Sequence, residues 1–331
     1  MRTPRDDGFR MPPEFARHER TLMGWPSRRE LWEDQLGQAK ADYAEVANAI
    51  AAFEPVTMLV SPEDAAEARA ALASGVELLE RPIDDSWLRD NGPIFLTRGD
   101  ERAAACFAFN AWGEKFTPYA DDAAVARWLC SHWGVKAYEP GIVLEGGSVH
   151  VDGAGLVLTT EQCLLHPSRN PDLAREQIDE RVLAYLGADE LVWLGQGLVE
   201  DRDTDGHVDL IAQFTGPRAA VMQTVPETNP NAASCHENLR RARAAGIGVI
   251  EFPHLAYGTV AGEDVCMSYL NLYLCNGAAI VPVSGEEPDF AALTQLAEVF
   301  PDREIVGVPG MVLAYGGGGP HCITQQVPAT G

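Results

Sequence analysis

The chain has 331 residues, 46% of them hydrophobic, and sets 25 basic against 49 acidic side chains for a formal net charge of −24. That length accommodates a large buried core, and the acidic excess argues against a nucleic-acid partner, whose phosphates call for Lys and Arg. No apolar run reaches the length of a bilayer span, and the polar N-terminal "MRTPRDDGFRMPPEF" has no signal-peptide core, so a cytoplasmic protein is expected.

Taken in chain order, five stretches share one pattern: a helical period, a stop, then a short strand. They are "AAEARAALASGVELLERP", "AVARWLCSHWGVKAYEP", "REQIDERVLAYLGADELVWLG", "ENLRRARAAGIGVIEFP" and "FAALTQLAEVFPDREIVGVP". Glycine ends the first four helices and Pro301 ends the fifth, each for a known reason: glycine tolerates the left-handed cap, and proline cannot continue a helix. The strands are expected to begin near Val76, Val135, Glu190, Ile247 and Glu304, at steps of 59, 55, 57 and 57 residues. Five near-equal units predict a circular or stacked α/β array spanning residues 1–331 as a single domain.

Each unit runs on into a polar, glycine-bearing segment. In order these are "DDSWLRDNGP" with Asp90, "LEGGSVHVD" with Glu145, "DTDGHVD" with His207, "GEDVCMSYLN", and "GGGGPHC" with Cys322. Arranged about an axis, the segments would converge and bring carboxylates, a histidine and a thiol into one pocket. Of the seven cysteines, the other six mostly sit among apolar neighbours and read as small buried hydrophobes. No C-x-x-C pair suggests a zinc site or a disulfide framework. Cys322 differs because four glycines lead the backbone up to it and "CITQQV" then resumes a strand-like alternation.

A thiol with a histidine suggests nucleophilic catalysis. Several carboxylates beside a thiol raise its pKa unless a cation joins them. A guanidinium is such a cation: planar, permanently charged, with a fork of N–H donors that fits carboxylates.

With these residues in view, the chain resembles the agmatine deiminases of the bacterial-type peptidylarginine deiminase family, in the guanidino-group-modifying (pentein) superfamily. The likeness runs through "GFRMPPEFARHERTLMGWP", "DDSWLRDNGP", "LEGGSVHVDG", "DTDGHVD" and "HCITQQ", in that order. It implies a five-fold pseudo-symmetric α/β propeller (pentein) and hydrolysis of agmatine to N-carbamoylputrescine and ammonia. On this resemblance Cys322 matches the nucleophile and His207 the general acid/base. Asp90 and Asp209 match the guanidinium-binding carboxylates, and Glu145 a pocket carboxylate supporting His207 or the guanidinium. Trp87 matches a substrate-packing aromatic, and Asp203 falls where an acid would face the distal amine. No metal or organic cofactor is implied, the partner is a small cationic guanidino substrate, and a homodimer or larger assembly is expected. The chain departs from the family pattern at Asp205, where Asn is common, and at Gly319-Pro320, where Asn-Ile is common. Both departures bear on the pocket's shape.

Other readings stay open at this stage. A deiminase acting on a peptide C-terminal arginine or a longer guanidino-alkylamine fits the same groups. The two H-x-D pairs, His150/Asp152 and His207/Asp209, would suit a metal-dependent hydrolase. A polyamine-binding module would need the carboxylates but neither Cys322 nor His207. Of the two H-x-D histidines, His150 is expected to be structural.

Overall fold

The computed structural model describes residues 2–331. Four sheets repeat one strand pattern. Ile94–Arg98 runs antiparallel to Glu101–Ala105, which runs parallel to Lys136–Tyr138 across the helix Val125–Trp133. His150–Val151, Leu156–Thr160 and Glu190–Leu194 repeat it around Arg175–Leu186. Ala212–Gly216, Ala219–Gln223 and Gly248–Phe252 do so around Ala232–Ala244. Tyr273–Cys275, Ala278–Val283 and Glu304–Pro309 do so around Pro288–Val299. Each helix crosses between two parallel neighbours, the connection that parallel pairing requires.

The fifth sheet is assembled from both chain ends. Thr324–Pro328 pairs antiparallel with His18–Gly24, which runs parallel to Val56–Val60, and that strand parallel to Glu77–Glu80. The strand expected near Val76 therefore exists, but it is a fourth strand added at the edge. The counterpart of the other units is Val56–Val60, following the helix Leu36–Ala51. The sequence hid it: "VTMLV" is buried at every position and does not alternate, and no glycine stop precedes it. A separate hairpin, Ala256–Val260 with Glu263–Met267, was also not foreseen. Among the described residues the sheets are separate and none closes on itself.

The buried apolar side chains explain how the sheets are held. Leu96 and Ala103 pack with Val151 and Val157, joining the second sheet of the chain to the third. Leu158 and Leu194 pack with Phe214 and Met222. Val221 and Phe252 pack with Leu274 and Val281. Tyr273 and Ile280 pack with Met58 and Val60, and Leu22 and Leu59 with Phe95 and Ala104. Every sheet of three or more strands thus shares apolar contacts with the next, and the last shares them with the first. No helix of the described residues is long and apolar enough to cross a membrane.

Candidate active site

The thiol is delivered by a strand. Thr324–Pro328 is buried along its whole length, and Cys322 sits two residues before it, itself buried. The backbone N–H of Cys322 donates to Asn271 Oδ1 at 3.3 Å, and that of His321 to Asn271 O at 3.1 Å. Asn271 Nδ2 in turn donates to Asp209 O at 3.2 Å. One amide therefore ties the thiol's turn to the segment holding Asp209. It lies in the fourth polar segment, from which the sequence singled out no residue.

The glycines before Cys322 are fitted to their neighbours. A Cβ on Gly318 would lie 2.9 Å from Cys322 Sγ and 2.8 Å from Trp87 Cζ3. One on Gly319 would lie 2.8 Å from Asn271 Oδ1, and one on Gly316 would collide with the Trp32 indole. Gly317 has φ +104°, a left-handed conformation that other residues rarely adopt. The run is a thin wall laid against the thiol, and any side chain there would displace something.

Gly147 marks where the charged groups meet. A Cβ on it would lie 2.7 Å from His207 Nδ1, 2.8 Å from Asp209 Oδ2 and 2.9 Å from Asp90 Oδ1. Four of the expected residues are thus collected around the turn Gly146–Ser148, whose preceding residue is Glu145. His207, Asp209 and Glu145 are wholly buried, and Asp90 nearly so. His207 Nδ1 stands 3.8 Å from Asp90 Oδ1, and its Nε2 4.0 Å from Glu145 Oε2. Among the described residues neither ring nitrogen has a hydrogen-bond partner. A buried, unpartnered imidazole between two carboxylates calls for an explanation by function.

The carboxylates are not equivalent. Asp90 accepts from Trp112 Nε1 and from Gly147 N, both at 2.9 Å. Burial, reinforced by the charges of Asp209 and Glu145 and only partly offset by His207, pushes its carboxyl up to about 6. Asp209 is buried too, but His321 outweighs that and holds it below the usual carboxylate range. Asp209 Oδ2 accepts from His321 Nδ1 at 2.8 Å and from Cys322 Sγ at 3.4 Å, leaving Oδ1 without a partner among the described residues. His321 Nε2 pairs with Glu14 at 2.8 Å, and Glu14 with Arg89 at 3.1 Å. Burial and Arg89 oppose its charged form, yet Glu14 and Asp209 together raise its pKa. Burial, then Asp209 and Asp90, push the Cys322 thiol well above its ordinary value.

Beside these groups lies a narrow pocket. It is lined by Cys322 and Asp90, by Trp87 and Trp112, and by Asp85, Asp203 and Phe116 among others. Trp87 stacks on Trp32, with ring centroids 5.9 Å apart. Trp112 enters from a loop in which Ala111, Trp112, Gly113 and Glu114 all have positive φ. Three of those four are not glycine, so the loop holds backbone strain at the pocket wall. Asp203 is half-buried and also borders a wider acidic cleft that contains Arg202, Glu263 and Asp264.

All seven residues singled out from the sequence therefore lie in or against one region. The other H-x-D pair, His150/Asp152, does not. His150 packs against His321, with ring centroids 5.0 Å apart, and burial, then His321, hold its pKa down to about 3. Asp152 is spent on the backbone N–H groups of Ala154, Leu156 and Arg218. A different trio, Glu145, Cys163 and His207, has ligand atoms within 4.8 Å of one another. Glu145 Oε1 is already paired with Arg169 at 2.6 Å, and burial, then Glu145, raise the Cys163 thiol, so the donor set suits a metal poorly. His207 itself immediately precedes a 3-10 turn, Val208–Leu210.

Sequence reasoning missed Arg169, Trp112, Asn271 and Asp201, and gave His321 no role. Asp201 accepts from the backbone N–H groups of Gly206 and His207, both at 3.0 Å, and so shapes the turn carrying the imidazole. Its signal was the alternation in "DRDTDGHVD"; the others had none short of the fold.

The Porphyromonas-type peptidyl-arginine deiminase family model matches residues 10–328. An agmatine deiminase of Stutzerimonas stutzeri is 39% identical over 99% of this chain and 97% of that one. The structure of the Enterococcus faecalis agmatine deiminase superposes with a TM-score of 0.93 at 35% identity, covering 99% of this chain and 98% of that one. A cysteine-to-serine variant of the C. jejuni agmatine deiminase, solved with substrate bound, gives 0.89 at 26% identity over 96% of both chains. The chain carrying this thiol, imidazole and carboxylate cluster belongs to the Porphyromonas-type peptidyl-arginine deiminase family.

Proposed function

We propose that this protein is an agmatine deiminase, hydrolysing agmatine to N-carbamoylputrescine and ammonia through a covalent amidino-thioether on Cys322. One observation carries the choice of substrate. Among the described residues, the pocket is lined by no Lys or Arg and by three carboxylates: Asp85 is already paired with Arg28 at 3.0 Å, whereas Asp90 and Asp203 pair with no Lys or Arg. Such a lining favours a guanidinium at one end and an ammonium at the other. The α-carboxylate of free or C-terminal arginine would find no cation there, and an unpaired buried charge is costly.

On this reading Asp90 and the unpartnered Oδ1 of Asp209 hold the guanidinium, Trp87 packs against it, and Asp203 faces the distal amine. The bound cation offsets the carboxylates that raise the Cys322 thiol, so the thiolate forms only with substrate in place. Sulfur bonds to the central carbon and a C–N bond breaks. The thiol proton leaves with the amine as ammonia, delivered by His207, which Glu145 supports from 4.0 Å. Water then adds to the adduct carbon, His207 takes its proton, and the C–S bond breaks to release the urea product and the thiol. Acid/base assistance of this kind contributes roughly 100- to 10,000-fold. No step calls on a cofactor.

The same reading takes residues 1–331 as one catalytic domain, five units set around an axis as in a pentein. The apolar contacts that pass from sheet to sheet and return to the first support it. Steady-state kinetics on agmatine and on free arginine test the assignment. A kcat/KM for agmatine on the order of a thousandfold above that for arginine is expected. Comparable values would move the protein to arginine or peptidylarginine chemistry.

A further inference from the structure

Arg169 is the buried cation that the mechanism above leaves without a task. Its side chain is wholly buried and contacts three walls of the site. Nε donates to Glu145 Oε1 at 2.6 Å. Nη1 donates to Trp112 O at 3.1 Å, to Ser168 Oγ at 2.8 Å and to Asp205 Oδ2 at 2.7 Å. Nη2 donates to Thr204 O at 3.0 Å. Each wall ends in a group that acts on substrate in the proposed mechanism. Glu145 faces His207, Trp112 donates to Asp90 through its indole, and Thr204-Asp205 lead directly into His207.

We propose that Arg169 is a positioning residue, which fixes His207 relative to Asp90 and Glu145 and so governs the proton-transfer steps and not substrate affinity. The inference rests on the deiminase reading. Asp205 is its counterpart in the turn that leads into His207. The residue has φ +63°, and its second oxygen pairs with Lys115 Nζ at 2.8 Å. Lys115 also donates to the carbonyls of Arg202 and Asp203. With Asp in place of the family's common Asn, two cations from the walls at 112–115 and 168–169 converge on one carboxylate. The planar fork reaches five acceptors from three nitrogens, with one N–H of Nη1 shared between two of them, which an ammonium cannot do.

The test compares Arg169→Lys and Asp205→Asn with the unaltered protein. Kinetics with agmatine are scaled to the folded fraction of each variant, read from near-ultraviolet circular dichroism and thermal melts, so that misfolded protein is not counted. Arg169→Lys should lower kcat about 100-fold, the scale of an ångström's misplacement of a catalytic group. KM should stay within about threefold. Asp205→Asn should show the same split, about tenfold in kcat. Nitrogen-15 NMR of the His207 ring supplies a readout independent of turnover: its signals should broaden or shift in both variants. Unchanged kcat per folded protein in both variants would overturn the proposal, as would a rise in KM that accounts for the whole loss of kcat/KM. Should Arg169→Lys fail to fold, Asp205→Asn decides alone by the same criteria. If the unaltered protein does not turn over agmatine, the deiminase reading fails; the His207 signals still judge the positioning role, and no change in them would sink it.

Discussion

Two histidines in identical "HVD" contexts meet different surroundings. His207 stands between Asp90 and Glu145 with both nitrogens unpartnered, whereas His150 lies against His321 and is held neutral by burial. His207→Ala should abolish both ammonia release and breakdown of the adduct. His150→Ala should cost about 1–3 kcal/mol of stability and leave most of the activity. Activity and melting temperature measured on both variants check this; equal loss of activity at unchanged melting temperatures would reverse the roles. Asp90 gives a second handle. Burial first, then neighbouring carboxylates, place its carboxyl at about 6, and a guanidinium needs it ionised. Protonation therefore removes a binding charge as pH falls, and kcat/KM, which reports the free enzyme, should decline below about pH 6. A profile flat from pH 7 to 5 would take Asp90 out of substrate binding.

The run Gly316–Gly319 is where an element's shape follows most directly from sequence. Four missing side chains allow the backbone to pass between Trp32, Asp203, Trp87 and Asn271 while touching the thiol. Gly318→Ala would place a methyl group 2.7 Å from Cys322 Cβ. It should reduce kcat by about 100-fold or more. Gly75, whose Cβ would meet nothing within 4 Å, is the control, and its Ala variant should lie within about 0.5 kcal/mol of the parent. Kinetics and thermal melts of the two variants decide it. The helices and strands at Val135, Glu190, Ile247 and Glu304 were legible because glycine or proline stops punctuate amphipathic periods. Val56–Val60 was not, since a strand covered on both faces carries no alternation to read. Within the site, Cys322, His207 and the acids were legible as reactive types in glycine-rich segments. Arg169 and Trp112 were not: what identifies them is the company they keep in space, and "HPSRNP" and "NAWGEK" say nothing of it.

At the scale of the whole molecule, the site depends on the pairing of the two chain ends. Cys322 is near the C-terminus, Glu14 near the N-terminus, and the strands His18–Gly24 and Thr324–Pro328 bind the two ends into one sheet. Through it, Arg89, Glu14, His321 and Asp209 form a buried line of alternating charge that ends at the thiol. The net charge of −24 surrounds a pocket lined by acids, so a cation is drawn to the one place where its charge permits the thiol to ionise. The central claim is that this thiol becomes covalently bonded to the substrate's guanidino carbon. Rapid acid quenching during agmatine turnover, followed by peptide mass spectrometry, tests it most directly. The account predicts a peptide containing Cys322 heavier by the mass of agmatine less ammonia, absent from Cys322→Ser, with turnover unaffected by a chelator. An unmodified Cys322 peptide under turnover, together with activity lost to a chelator and restored by a divalent metal, would contradict it.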